Sequence, residues 1–279
     1  MKRRSLVMVT NDDGVTSPGI VALADALSPS ASVSVIGPEG QQSAAGMSLT
    51  FHRPLRVDKV LIHRRACYAV SGSPADSVMV GVNRILPRRP DLVVSGINIG
   101  ENLTIQDILA SGTVAAAMEA ALLGIPSIAF SLEVPDSMTF TQALKPQTFS
   151  LPAHIAAEVS LEVLERGLPV GVNLLNVNFP WKTGPRTKVK LTSIEVRKYR
   201  DYVIERKDPR GRPYYWMWGA RLPTFRKGSD VYAVRKQKAI SVSPLSLDLT
   251  PQVLAQMKSF GARIGARIEK MQESLRTHK

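Results

Sequence analysis

Asn11-Asp12-Asp13-Gly14 sets two carboxylates side by side, directly after the apolar run at residues 6–9. Adjacent carboxylates at the end of a strand repel one another unless protons or a cation offset their charge. A hard divalent ion such as Mg²⁺ or Mn²⁺ prefers oxygen ligands and supplies that charge. The same four residues are good turn chemistry, so taken alone they are equally a turn closed by Asx hydrogen bonds. Asn11 either touches a phosphate or fixes the turn, and Gly14 lets the backbone bend.

Three further loops carry groups suited to the same chemistry. Residues 37–48 are long and rich in Gly, Ser and Gln, which suits a loop that folds over a ligand; Ser43 and Ser48 could ligate a metal or donate to phosphate oxygens. The alternative is an ordinary surface loop. Asn98, in Ser95-Gly96-Ile97-Asn98, offers a neutral amide oxygen where carboxylates already balance the charge. Ser111-Gly112-Thr113 opens an alanine-rich helical stretch, and backbone N–H groups at a helix N-terminus beside a glycine favour a phosphate. A serine or threonine there is equally a plain N-cap. A metal and a phosphate in one pocket imply phosphoester chemistry, in which the metal polarises the phosphoryl group or lowers the pKa of water. There is no Gly-x-x-x-x-Gly-Lys-[Ser/Thr] and no Gly-x-Gly-x-x-Gly after the first strand, so P-loop and dinucleotide chemistry lose their usual support. The histidines at 52, 63, 154 and 278 lack metal-ligand spacing. His52 is expected to be structural, with general acid as the alternative. Asp76 reads as a first-turn helix carboxylate, and Glu119 has no assigned role.

The elements that must position these loops form an alternating pattern. Apolar strand-like runs occur at residues 6–9, 33–36, 68–70, 92–95, 127–130 and 174–178, without the polar alternation of a half-exposed sheet. Helical stretches fall between them at 19–27, 74–82, 114–123 and 152–166, marked by Pro74 behind Ser73, by Gly124 with Pro126, and by Gly167. Alternation of this kind predicts βαβ units around a mostly parallel sheet: a Rossmann-like, three-layer α/β core over residues 1–180. Ligands in such sheets bind at the carboxyl ends of the strands, where all four loops begin.

After residue 180 the pattern changes. Pro180, Gly184 and Pro185 mark a boundary, and residues 188–199 and 230–242 read as strands outside the main repeat. Between them lie the turn-rich 208–213 and the aromatic run Tyr214-Tyr215-Trp216-Met217-Trp218. Thr250 and Pro251 are expected to cap a terminal amphipathic helix reaching about residue 275. Residues 181–279 are therefore predicted to be a hairpin and helix extension. The net charge of +13 concentrates here: residues 1–180 carry 13 Lys and Arg against 15 Asp and Glu, whereas 181–240 carry 17 against 5. Such a segment binds nucleic acid, steers an anionic substrate or forms a solvated subunit contact.

No stretch approaches the ~20 apolar residues of a membrane-spanning helix. The basic start runs into a short apolar segment and then Asn11-Asp12-Asp13-Gly14 with no cleavage site, so a cytoplasmic protein is expected. The single cysteine, Cys67, excludes an internal disulfide framework and a cysteine-based metal cluster.

Five motifs in order carry a family resemblance: Asn11-Asp12-Asp13-Gly14; Gln42-Ser43 with Ser48-Leu49-Thr50; Ser71-Gly72-Ser73-Pro74-Ala75-Asp76; Ser95-Gly96-Ile97-Asn98; and Ser111-Gly112-Thr113-Val114-Ala115-Ala116-Ala117. Together they resemble the stationary-phase survival proteins of the SurE family, which are 5′/3′-nucleotidases. The resemblance is close over roughly residues 5–180. It implies one divalent ion per subunit, Mg²⁺ or Mn²⁺, ligated by Asp12, Asp13, Ser43 and Asn98. It also implies phosphate contacts from Ser111, Gly112 and Thr113, and dimers or tetramers that exchange C-terminal arms. Two departures sit beside the phosphate-binding motif. Asn102-Leu103-Thr104-Ile105-Gln106-Asp107 replaces the family's common Asn-Leu-Gly-x-Asp, and Ala110 stands where a tyrosine often precedes Ser-Gly-Thr.

The leading expectation is hydrolysis of nucleoside 5′-monophosphates, and of 3′-monophosphates as a further option, to nucleoside and phosphate. Two routes fit the residues: attack by a water held on the metal, or a metal clamping the phosphate while Asp12 or Asp13 activates a free water. A broad acid phosphatase or short-chain polyphosphatase is the alternative among enzymes. The alternative of another class is an RNA-binding protein, using Arg210, Arg212, Arg226 and Lys227 with the neighbouring aromatics. A subunit arm is the favoured use of that segment.

Overall fold

The computed structural model describes residues 3–135, 144–250 and 257–277. Residues 1–245 form one compact unit and 246–279 a second. The first is built on a nine-stranded sheet in the order β3-β4-β2-β1-β5-β6-β7-β11-β8. Six of its strands, β1 (Leu6–Thr10), β2 (Ser32–Pro38), β4 (Arg65–Val70), β5 (Leu92–Ile99), β6 (Ser127–Leu132) and β7 (Leu174–Phe179), run parallel. All six coincide with the apolar runs of the sequence. β3 (Val57–Ile62) was not anticipated; it pairs antiparallel with β4 as the mostly exposed edge of a hairpin, where burial leaves little hydrophobic signature.

Successive residues of β1 feed opposite layers because side chains alternate along a strand. Val7 and Val9 enter a core with Ile20, Leu23 and Leu27 of α1 (Pro18–Leu27) and Ala153, Ala156 and Val163 of α5 (Ser150–Arg166). Met8 enters the other, with Val78 of α2 (Pro74–Val80) and Ala116 and Ala120 of α4 (Gly112–Leu122). This is the expected three-layer α/β arrangement. The chain leaves β1 for β2 on one side and later returns to place β5 on the other, so the strand order reverses at β1, where a crevice opens at the carboxyl ends.

Beyond residue 180 the strands fall differently from the expectation. Residues 188–199 hold only the short β8 (Val189–Leu191) before β9 begins. Residues 230–242 begin with the π-helical turn Tyr232–Lys236 and reach β11 (Ile240–Leu245) only at the end. β11 pairs with β7 and β8 with β11, so both extend the main sheet although they lie outside the strand–helix repeat. A C-terminal hairpin is present, but it is built from the segment expected to lie between the two strands: β9 (Tyr199–Lys207) and β10 (Pro213–Arg221) form a separate two-stranded sheet closed by the 208–212 turn. In that turn Asp208 accepts from the Arg210 and Arg212 N–H groups at 2.8 and 2.9 Å. The terminal helix is α6 (Lys258–Thr277); its predicted cap at Pro251 lies outside the described residues. Among the described residues no helix is long and apolar enough to cross a membrane.

Candidate active site

β1 delivers Asn11, Asp12 and Asp13 to the crevice, and all three are buried. Asn11 serves the turn: its amide nitrogen donates to Gly14 O at 3.0 Å and to Ser17 Oγ at 2.8 Å. Gly14 adopts a φ of +93°, in the left-handed region, with the Gly40 backbone 3.3 Å from where a Cβ would stand. A side chain there would be strained and crowded at once.

Asp12 is gripped by the start of α4. The buried Thr113 hydroxyl donates to Asp12 Oδ1. Burial pushes the Asp12 carboxyl upward from its ordinary range, while Thr113 and the nearby N–H groups of Asp12, Thr113 and Gly112 pull the other way. Gly112 is a close approach: a Cβ on it would lie 2.8 Å from Asp12 Cβ and 3.0 Å from Pro74 Cγ. Ser111 caps α4, its hydroxyl accepting from Val114 N–H at 3.1 Å. Ser111-Gly112-Thr113 therefore sits against Asp12, and Ser111 and Thr113 both make structural hydrogen bonds there.

Asp13 is held by one backbone contact, its Oδ2 accepting from Ile99 N–H at 3.2 Å. Burial, then the neighbouring charge of Asp12, raises its carboxyl to about 7. Asn98, on β5 beside β1, commits its amide nitrogen to Gly100 O at 2.7 Å, which leaves the amide oxygen as its remaining polar atom. Residues 39–48 cross the same region. Gln42 N–H donates to Asp12 O at 2.7 Å and Gly46 N–H to Ala110 O at 2.9 Å, tying the loop to the Asp12 backbone and to the residue before Ser111. Ser43 is exposed on this loop and accepts from Gln41 Nε2 at 2.8 Å.

The donor set fits a hard divalent cation. Burial disfavours the charged form of both adjacent carboxylates, and Asp12 adds to this at Asp13; a positive ion relieves that cost, and a neutral amide oxygen lies on the adjacent strand. Among the described residues no group of three or more His, Cys, Asp and Glu side chains is placed to hold a metal. Two carboxylates with a neutral amide oxygen form an all-oxygen donor set, the kind hard cations prefer.

Other sequence candidates are structural or remote. Asp76 completes a capping box with Ser73, accepting from Ser73 N–H at 2.8 Å, and also holds Thr50 through N–H at 2.9 Å and the hydroxyl at 2.7 Å. His52 is exposed, and Glu119 is buried in α4. Sequence reasoning missed a buried charge cluster beside α3 (Thr104–Ala110), the helix leading into Ser111. Lys198 Nζ lies 3.0 Å from Glu101 and 2.6 Å from Asp107, and Arg235 reaches the same Glu101. Burial raises the Asp107 carboxyl to about 6, against the pull of Lys198. Burial also works against charge on Glu101, but Lys198 and Arg235 outweigh it and hold that carboxyl low. Nearby, Asp230 is fully buried and accepts from the N–H groups of Thr104, Glu195 and Val231 at 2.8, 3.0 and 2.8 Å. These groups pin the residues after 180 to the helix that precedes Ser111. Lys198 and Arg235 look like members of a solvated basic run in sequence; only long-range pairing reveals otherwise.

Comparison with known proteins places this geometry in context. The family model described as "Survival protein SurE" matches residues 7–201. A "5'-nucleotidase SurE" of Methanocella arvoryzae is 42% identical over 246 residues, 88% of this chain and 92% of that protein. One of Archaeoglobus fulgidus is 43% identical over 247 residues, covering 88% and 93%. The crystal structure of a SurE protein from Aquifex aeolicus superposes with a TM-score of 0.78 at 37% identity, covering 92% of this chain and 99% of that one.

Proposed function

This chain belongs to the SurE family, and from that premise we propose that it is a 5′-nucleotidase, a phosphoric monoester hydrolase releasing nucleoside and phosphate from nucleoside monophosphates. The observation that carries the reading is the buried Asp12–Asp13 pair at the strand-order reversal, with Asp12 locked against the start of α4 by Thr113. In this reading Asp12, Asp13 and Asn98 hold one Mg²⁺ or Mn²⁺ per subunit, with Ser43 reaching in from the 39–48 loop. The bound ion supplies Lewis acidity toward the phosphoryl group and lowers the pKa of water. Ser111, Gly112 and Thr113 receive the phosphate at the N-terminus of an eleven-residue helix, whose N–H groups and dipole favour an anion. Asn11 is assigned to the turn, because both hydrogens of its amide are used there. The 39–48 loop, tied to Asp12 and Ala110, restricts water around the reacting phosphate.

The rest of the proposal concerns the residues after 180. A lone two-stranded hairpin is marginal in water, and β9–β10 exposes Val203, Tyr215, Trp216 and Met217. Aromatic and methionine side chains anchor protein interfaces, so the hairpin is read as an arm that contacts a second subunit in a homodimer or homotetramer. On this view the hairpin within residues 181–279 is the oligomerisation element, while β8 and β11 of the same segment complete the sheet that carries the catalytic residues. A cytoplasmic location belongs to the same reading.

The test is phosphate release from a panel of 5′- and 3′-nucleoside monophosphates, p-nitrophenyl phosphate and short polyphosphate, with EDTA, Mg²⁺ or Mn²⁺. Metal-dependent release fastest on nucleotides is expected. Equal rates on every ester would make it a broad phosphatase. No release with any metal from folded protein would overturn the reading and favour an RNA-binding role for the basic segment.

A further inference from the structure

A cleft of about 630 Å³ lies between residues 182–190, which join β7 to β8, and the turn at 237–239 that enters β11. Lys182, Arg186, Lys188, Lys190 and Lys238 line it with Gln237, and neither Asp nor Glu is among its lining residues. Among the described residues no ion pair engages Lys182, Arg186, Lys188 or Lys190; Lys238 alone has a loose partner, Glu133, at 3.7 Å. Five cations around one concavity repel each other, and their combined field concentrates anions there. We propose that this cleft is a second anion site, distinct from the Asp12–Asp13 centre, that binds a compact chain of phosphates such as a triphosphate group, free or at the end of a nucleoside triphosphate.

Size, chemistry and position each support that class of ligand. The volume is that of a small-molecule site rather than a single-ion niche. No aromatic side chain lines the cleft, so nothing there stacks on a base, and charge alone selects the ligand. Arg186 supplies a planar fork suited to a phosphate, and the lysines supply point charges that several phosphates can share. The two walls are tied together by backbone. Ile240 N–H donates to Lys188 O at 2.8 Å, and β8 pairs with β11 from Val189 to Leu191. Within the loop, Gly184 N–H donates to Thr187 Oγ at 2.8 Å. Lys238 is held at a φ of +50°, in the left-handed region that L side chains rarely adopt.

The strand order separates this cleft from the first site. β7 ends, and β11 and β8 begin, at the same carboxyl edge that carries Asp12 and Asn98. Three strand spacings lie between β1 and β7 and five between β1 and β8, which is about 14 to 24 Å at the usual inter-strand distance. The two sites thus share an edge without sharing a residue.

The experiment is calorimetric titration of the full-length Asp12→Asn protein in EDTA with inorganic triphosphate, ATP, AMP and orthophosphate, at low and high salt. Using a variant disabled at the first site makes the result independent of whether the protein is a nucleotidase. Triphosphate and ATP should bind with similar affinity, weakened by salt, and AMP and orthophosphate about tenfold less tightly or worse. Lys188→Glu with Lys190→Glu should weaken triphosphate binding by about tenfold or more, as should Lys182→Gln with Lys238→Gln. In the background with Asp12 restored, either pair should leave AMP hydrolysis within about twofold of wild type. Triphosphate affinity unchanged in both folded double variants, or lost on Asp13→Asn, would overturn the proposal. Binding of ATP without binding of triphosphate would do so too, since it would require recognition of the nucleoside.

Discussion

Replacing Gly112 by alanine tests the contact on which the site rests. The new Cβ would stand 2.8 Å from Asp12 Cβ, 3.0 Å from Pro74 Cγ and 3.1 Å from Asp12 Oδ2. Ordinary carbon–carbon contacts lie near 3.5–4.0 Å, so Asp12 and Pro74 must retreat by about 1 Å. Gly112 has no left-handed φ, and alanine at a helix start is otherwise favourable by up to about 1 kcal/mol. Overpacking costs about 1–3 kcal/mol, which leaves a net loss of up to about 2 kcal/mol once that gain is subtracted. At about 2–4 °C per kcal/mol for a domain of this size, the melting temperature should fall by up to about 8 °C. Displacing a catalytic group by about 1 Å should cost about 100-fold in kcat/KM. The assay is AMP hydrolysis with saturating Mn²⁺ beside a thermal melt, with Gly184→Ala as control because a Cβ there meets nothing within 4 Å. If Gly112→Ala kept its activity and its melting temperature, α4 would not press on Asp12 and the described geometry would be wrong.

Two further perturbations probe the charges. The Asp13 carboxyl is raised to about 7 by burial and by Asp12, from 3.8 when free. A folded pKa above the unfolded one stabilises fully below about pH 4, and that contribution disappears as pH climbs through 7. Metal-free protein should therefore melt at a lower temperature at pH 8 than at pH 6, and Asp13→Asn should flatten the difference; a flat wild-type profile would contradict the burial argument. Lys198→Met leaves Glu101 and Asp107 facing each other in the interior with only Arg235 to balance them. Breaking a buried ion network in this way should cost about 3–5 kcal/mol in urea unfolding, and a loss under about 1 kcal/mol would show the cluster to be incidental.

Much of the molecule was legible in the sequence because burial leaves a simple trace. Strands covered on both faces read as unbroken apolar runs, and Pro74 and Gly124 punctuate their helices where the structure has them. The carboxyl-edge rule gathers Asp12, just past β1, Asn98, near the carboxyl end of β5, and Ser111, which follows α3, from the sequence alone. Signals failed where burial is partial or long-range. β3 is mostly exposed and left no apolar run. α3 has only Thr104 and Ile108 buried, too few to set a helical period. β8 and β11 join the main sheet through pairing partners far away in sequence, which alternation cannot reveal. Neither reading of Ser111-Gly112-Thr113, phosphate site or N-cap, reveals Thr113's hold on Asp12. An N-terminal helix motif and a neighbouring carboxylate are seen to meet only in three dimensions.

The central claim is that Asp12 and Asp13 together hold the catalytic metal. It is tested most directly by titrating Mn²⁺ into wild type, Asp12→Asn and Asp13→Asn while following free Mn²⁺ by electron paramagnetic resonance and AMP turnover on the same samples. One bound ion per subunit in wild type, with binding and turnover lost together in both folded variants, is the predicted result. Undiminished Mn²⁺ binding by either variant, or turnover that survives without the carboxylate, would contradict it.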